Sequence, residues 1–269
     1  MAYTYEDMIF EKKERIATVT LNLPEKLNAM SDGIRKGLIQ AVHEVEQDDN
    51  IRVLIITGAG ERGFCSGADM SRLAAEAAGE KYKDIGNRTY RKGPISALVL
   101  MLRQLDKPVI GAINGVAAGA GMGIALACDI RIASENASFI NVFVRRGLGV
   151  EWGISYWLPR IVGMSKALEI MWTGDKIDAR EAERLGMVSK VVPAADLMKE
   201  AEAFAARLAK MPPMSIEFIK RMSYAGLDTT LLPQLGLEQY CADILLKTED
   251  FKEGVAAFRD KREAIFKGL

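Results

Sequence analysis

Short apolar runs alternate with amphipathic stretches along most of this chain, and helical periodicity alone fills the remainder. Met8-Ile-Phe-Glu, a charged turn at Lys12-Lys-Glu-Arg15 and the β-branched alternation of Ile16-Ala-Thr-Val-Thr-Leu21 predict an opening hairpin. Ser31 is placed to cap a helix reaching about residue 46, with Ile34, Leu38, Ala41, Val42 and Val45 on one face. Strand-like runs follow at 53–57 and 108–113, with a helical stretch at 96–105 between them, then a helical stretch at 124–128 and a strand-like one at 129–133. Residues 72–95 are polar and less regular. From about residue 194 the pattern predicts helices at 197–209, 213–224, 229–246 and 251–266, with no strand among them.

The division this suggests is a mixed α/β core over 1–195 and a helical region over 196–269. Apolar positions in a helical segment without a sheet of its own to cover point to contacts between subunits. The alternative is a set of helices folded back on the chain's own core.

Composition narrows the field without choosing within it. The 269 residues are 49% hydrophobic and 27% charged, with Lys plus Arg and Asp plus Glu at 36 each. Such a balance gives no global field for nucleic acid or a membrane surface, though a local basic patch for a phosphorylated ligand stays open. Cys65, Cys128 and Cys241 are odd in number and lack CxxC spacing, so they read as free thiols in a reducing compartment. No apolar run approaches the ~18 residues of a membrane span, and the acid-bearing start lacks the bias of a transit peptide. The expected compartment is cytoplasmic.

The most telling local feature is a pair of small-residue turns, Phe64-Cys-Ser-Gly-Ala-Asp69 and Asn114-Gly-Val-Ala-Ala-Gly-Ala-Gly-Met-Gly123, each following an apolar strand-like run and opening a helical stretch. The first N–H groups of a helix lack intrahelical partners. Two such turns side by side can aim two N–H donors at one oxygen, an oxyanion hole made of backbone.

These residues also carry a family resemblance. Leu23-Pro-Glu-Lys-Leu-Asn-Ala-Met30, Gly63-Phe-Cys-Ser-Gly-Ala-Asp69, Lys107-Pro-Val-Ile-Gly-Ala-Ile-Asn-Gly115, Gly119-Ala-Gly121, Ala127-Cys-Asp-Ile-Arg131 and Leu158-Pro-Arg-Ile-Val-Gly163 occur in order, with Phe258 and Lys261-Arg262 near the end. Together they resemble the crotonase superfamily of enoyl-CoA hydratases and isomerases. The resemblance implies a spiral of repeated ββα units with a helical C-terminal trimerisation region, and a homo-oligomer, trimer or hexamer. It implies an acyl-CoA thioester substrate and no separate cofactor, since CoA enters as part of that substrate. The backbone N–H groups of Ala68 and Ala120 correspond to the oxyanion donors. Lys26, Leu27 and Ala29, with Ser66, Gly67 and Asp69, correspond to the CoA contacts, and Phe258 and Lys261 to residues reaching a neighbour's nucleotide site.

Candidate acid–base groups are few. His43, the sole histidine, lies in an amphipathic helix and reads as a surface residue, which argues against a Ser–His–Asp or Cys–His device and against a zinc site. Cys65 sits in the first turn without a histidine to activate it, so it reads as a small buried turn residue. Asp69 reads as a cap for the following helix.

The resemblance places the two hydratase glutamates at positions held here by Gly123 and Phe143. It aligns Glu151 with the single carboxylate of isomerase-type members. Glu151 is the only acid between Glu135 and Glu169, and between Val150 and Trp152 it is expected to lie in apolar surroundings that raise its pKa. A role as a helix N-terminal acid is the simpler structural alternative. Phe143, Trp152, Tyr156 and Trp157, with residues 72–95, are expected to line the acyl pocket.

The resulting expectation is double-bond isomerisation through a thioester enolate, with Glu151 moving one proton. The alternative within the family is hydration or dehydration by Glu151 and a bound water. A non-catalytic or RNA-binding homologue is the alternative of another class, and the neutral composition without a basic–aromatic array speaks against RNA.

Overall fold

The computed structural model describes residues 2–69, 74, 78 and 94–269. Strands β1 (Ala2–Tyr5), β2 (Met8–Lys13) and β3 (Ile16–Leu21) form an antiparallel start, one strand more than the predicted hairpin. Glu14 turns β2 into β3 with a positive φ of 54°. Helix α1 (Asp32–Gln47) begins where Ser31 predicted it, and the Ser31 side chain accepts from Ile34 N–H at 3.0 Å.

The chain then repeats one unit, a long strand followed by a short one. β4 (Val53–Gly58) is followed by β5 (Gly63–Cys65), β6 (Val109–Ile113) by β7 (Val116–Ala118), and β8 (Ile130–Ser134) by β9 (Ser138–Ile140). Helix α2 (Pro94–Gln104) precedes β6 and helix α3 (Ala120–Ala127) precedes β8. With β10 (Lys176–Asp178) and β11 (Lys190–Val192), the long members build a sheet ordered β1-β2-β3-β4-β6-β8-β11 and the short ones a second, β10-β9-β7-β5. Each repeat places one strand in each sheet, with parallel pairing from β3 through β11. This is the expected spiral of ββα units. Of the short strands, β5 and β7 overlap the two segments read from sequence as turns, and β9 and β10 are not read from it at all, because three residues carry no period.

Both faces of the large sheet are covered, so its central strands read as unbroken apolar runs. Leu54, Ile56, Val109 and Ile113 face one core with α1, α2 and α3. Val53, Ile55, Ile110 and Ala112 face a second with Leu197, Ala201, Ala205 and Ala209 of α7 (Leu197–Ala209). Before it come α4 (Ile154–Val162), α5 (Met164–Thr173) and α6 (Ala179–Arg184). The C-terminal region therefore does cover a sheet with its first helix.

Helices α8 (Pro213–Gly226), α9 (Leu231–Leu245) and α10 (Glu249–Asp260) bury far less, and Leu232 and Phe258 are 81% and 88% exposed. The last helix ends earlier than its periodicity predicts. Lys261 takes a positive φ of 54°, and the tail is pinned instead by Lys267 and Gly268 N–H groups donating to Asp250 at 2.7 and 2.9 Å.

The Ala127-Cys-Asp-Ile-Arg131 motif ties these parts together. Buried Arg131 donates to the carbonyls of Met187, Ala125, Leu126 and Cys128, supplying the last turn of α3 with partners. Asp129 accepts from Val109 N–H, from Tyr224 Oη at 2.6 Å and pairs with Lys220 at 2.8 Å, so α8 is fastened to the start of β8.

Candidate functional site

The first turn is built against the segment that precedes α1. Leu27 and Asn28 both take positive φ, 52° and 55°, and fold residues 26–30 along it. Ser66 N–H donates to the Leu27 carbonyl at 3.0 Å, Ser66 Oγ to the Lys26 carbonyl at 3.0 Å, and Met30 N–H to the Gly67 carbonyl at 2.7 Å. Lys26 Nζ meets Asp69 at 2.9 Å. The structure thus gathers Lys26, Leu27, Ala29, Ser66, Gly67, Ala68 and Asp69 at one place.

Asp69 differs from expectation in its partner. It forms an ion pair with Lys26, whose pKa is raised by that hydrogen bond and charge; the helix it was expected to cap lies outside the described residues.

Two residues not singled out from sequence hold this turn. Buried Asn28 donates to the carbonyls of Ala59 and Gly63 at 3.0 and 2.7 Å and accepts from Leu23 N–H. Buried Asn114 donates to Gly60 and Gly63 carbonyls at 2.8 and 2.9 Å and accepts from Gly58 N–H. Both asparagines sit inside quoted motifs, yet nothing local says that they converge on one carbonyl.

The second turn lies against the first with backbone touching backbone. Gly67 has φ +94°, and a β-carbon there would stand 2.8 Å from the Ala118 carbonyl oxygen and 3.6 Å from Ala120 N. One on Gly121 would run into the Cys65 carbonyl oxygen. Glycine at 67 and 121 is what lets the turns meet. Ala120 opens α3 behind Gly119, whose φ is +51°. Among the described residues, no hydrogen bond uses the N–H of Ala68 or of Ala120.

At the two positions where the resemblance places hydratase glutamates, the surroundings are apolar. The Phe143 ring lies 3.7 Å from where a Gly119 β-carbon would stand, and Phe143 is buried. A β-carbon on Gly123 would collide with Trp152 Cβ and come within 2.8 Å of the Trp152 carbonyl oxygen. No glutamate fits at 123 while Trp152 sits there.

Glu151 precedes that tryptophan. Its carbonyl accepts from Ile154 N–H at 3.2 Å, three residues before α4 is under way. The expectation of apolar enclosure fails for its side chain, which is exposed, although Val150 is half-buried and Trp152 buried. Trp157 is buried and Tyr156 half-buried, and the Tyr156 hydroxyl donates to Asp228 at 2.9 Å. Of the span 72–95, only 74, 78, 94 and 95 are described.

The remaining candidates behave as follows. His43 is exposed beside Glu46 at 3.3 Å. Cys65 is buried, and burial pushes its thiol up to about 12, so no thiolate forms near neutral pH. Phe258 lines a groove of about 500 Å³ with Pro212, Leu245, Phe251 and Phe266, and Lys261 is exposed at the end of α10. Among the described residues no three His, Cys, Asp or Glu side chains gather as metal ligands, and no helix is long and apolar enough to cross a membrane.

Comparison with known proteins decides the family. The enoyl-CoA hydratase/isomerase family model matches residues 11–268. The chain belongs to the enoyl-CoA hydratase/isomerase family. It is 40% identical over 267 residues to a probable enoyl-CoA hydratase of Mycobacterium bovis, covering 96% of this chain and 92% of that one. It is 37% identical over 263 residues to the 1,2-epoxyphenylacetyl-CoA isomerase of Escherichia coli, covering 98% and 99%. The crystal structure of an enoyl-CoA hydratase from Bacillus anthracis superposes with a TM-score of 0.89 at 31% identity, covering 98% and 100%. Most names among such relatives read hydratase, which favours the alternative expected from sequence over isomerisation.

Proposed function

We propose that this chain is an acyl-CoA enzyme that forms a thioester enolate between the Ala68 and Ala120 N–H groups and moves a proton with Glu151. Double-bond isomerisation is the outcome the site geometry favours. The observation that carries it is the filling of both hydratase carboxylate positions by aromatic side chains, Phe143 itself and Trp152 over Gly123. Polarising the carbonyl acidifies the neighbouring carbon. A single base then removes a proton from one carbon and returns it to another, a cycle that needs no activated water.

CoA lies across the first turn in this reading, with Lys26, Leu27, Ala29, Ser66, Gly67 and Asp69 as its contacts and Phe143 and Trp152 beside the acyl group. The 196–269 region assembles subunits as a trimer or hexamer, with Phe258 and Lys261 reaching a neighbour's nucleotide. The exposed apolar side chains of α9 and α10 support that assembly.

Hydration is the second reading. The names of the relatives favour it, and the exposure of Glu151 would admit a water beside the carboxylate.

Glu151→Gln preserves size and removes the base, so turnover should fall by ~10²–10⁴ with CoA affinity kept. The native protein should convert 3-enoyl-CoA to 2-enoyl-CoA faster than it hydrates the product. Faster hydration selects the second reading, and full turnover in Glu151→Gln rejects Glu151 as the base in both.

A further inference from the structure

We infer that Trp152 and Gly123 form a lock that positions Glu151, an inference resting on the reading of Glu151 as the acid–base group. Glu151 is followed by two residues in the left-handed region, Trp152 with φ +58° and Gly153 with φ +72°. Glycine adopts that conformation freely, but for a large side chain it is disfavoured and persists only where surroundings impose it.

Here the surroundings are α3, the helix that Ala120 opens. The Trp152 backbone and Cβ occupy the space a side chain on Gly123 would need, with the Trp152 carbonyl oxygen 2.8 Å and its Cα 3.3 Å from a β-carbon placed there. Trp152 is only 7% exposed, so its indole is held by the core while the preceding carboxylate is left at the surface. One contact therefore ties Glu151 to the same short helix that carries a proposed oxyanion donor. The missing side chain at 123 is a seat for the turn that presents the base. In this role Trp152 is a positioning residue, acting through Glu151.

A double-mutant cycle on the full-length protein tests this, with two readouts. The first is amide exchange at Ile154, whose N–H is bonded to the Glu151 carbonyl at 3.2 Å and reports the turn without substrate. The second is kcat and KM for a CoA thioester. Gly123→Ala pushes Trp152 off its seat; Ile154 exchange should accelerate at least about tenfold, and kcat should fall by ~10² with KM within about twofold.

Trp152→Gly keeps a residue suited to positive φ but removes the anchor, and should cost kcat about tenfold. In that background, Gly123→Ala should cost about tenfold further and not ~10², because the Cβ it collides with is gone while the contact with the carbonyl oxygen of residue 152 remains. Native exchange and native kcat in a folded Gly123→Ala protein overturn the inference, as does additivity in the cycle. Should Gly123→Ala fail to fold, native kcat in Trp152→Gly overturns it alone. Loss of activity in Glu151→Gln beside native kcat in Gly123→Ala rejects only the lock; full activity in Glu151→Gln removes the base and the lock together.

Discussion

The first turn and the later part of the second are held by different means. The first is tied by polar side chains: Asn28 and Asn114 share the Gly63 carbonyl, and Lys26 pairs with Asp69 at its rim. The second carries such ties only at its start, where the Asn114 side chain reaches the first turn and the Asn114 carbonyl accepts from Ser134 Oγ at 2.9 Å; its later part, residues 119–123, is shaped by close approach, with Gly121 under the Cys65 carbonyl and Gly123 under Trp152. Hydrogen bonds tolerate small displacements, whereas a backbone seated on backbone has no slack. The second turn should therefore be the rigid member and the first the adjustable one, which suits the nucleotide-binding surface proposed for it.

The largest effect should come from breaking the close approach. Gly121→Ala drives a methyl into the Cys65 carbonyl and should destabilise the fold by about 3–5 kcal/mol, read as a lower urea midpoint, or prevent folding. A loss under about 1 kcal/mol would show that the second turn has slack after all.

Asn114→Ala should cost less, about 2–3 kcal/mol, because it leaves the Gly58 N–H and Gly60 carbonyl without partners while Asn28 still serves Gly63. Urea denaturation checks the size. KM for a CoA thioester should rise more than kcat falls, since the first turn is the CoA side of the proposed site.

The smallest effect belongs to Lys26→Ala. Its ion pair is solvent-exposed, so the urea midpoint should not move, while CoA-thioester affinity should drop by roughly twofold to fivefold and less so at high salt. A stability loss as large as that of Asn114→Ala would mean that rim and asparagine ties are equivalent, and the comparison would need redrawing.

Much of the fold was legible because it is local. The Ser31 cap, the apolar face of α1, the unbroken apolar runs of β4 and β6 and the exposed His43 follow from residues near one another in sequence. The glycines of both turns were legible as well, since small residues between a strand and a helix announce that backbone is meant to be reached. The helical boundary at Asp260 was missed because the tail is fixed by Asp250 and not by its own periodicity.

The sequence by itself determined the order of the long strands and helices up to residue 133 and of the helices after 196, the two small-residue turns, the solitary histidine and, with the family resemblance, the choice of Glu151 as the candidate base. All of these depend on residue type and on neighbours along the chain. Only the tertiary structure decided that Asn28 and Asn114 converge on Gly63, that three-residue strands make a second sheet, that Glu151 faces solvent, and that Trp152 fills the space above Gly123. Each of those joins segments far apart in the chain or sets the direction of one side chain, and packing between distant segments leaves no period in a sequence for either to be read from.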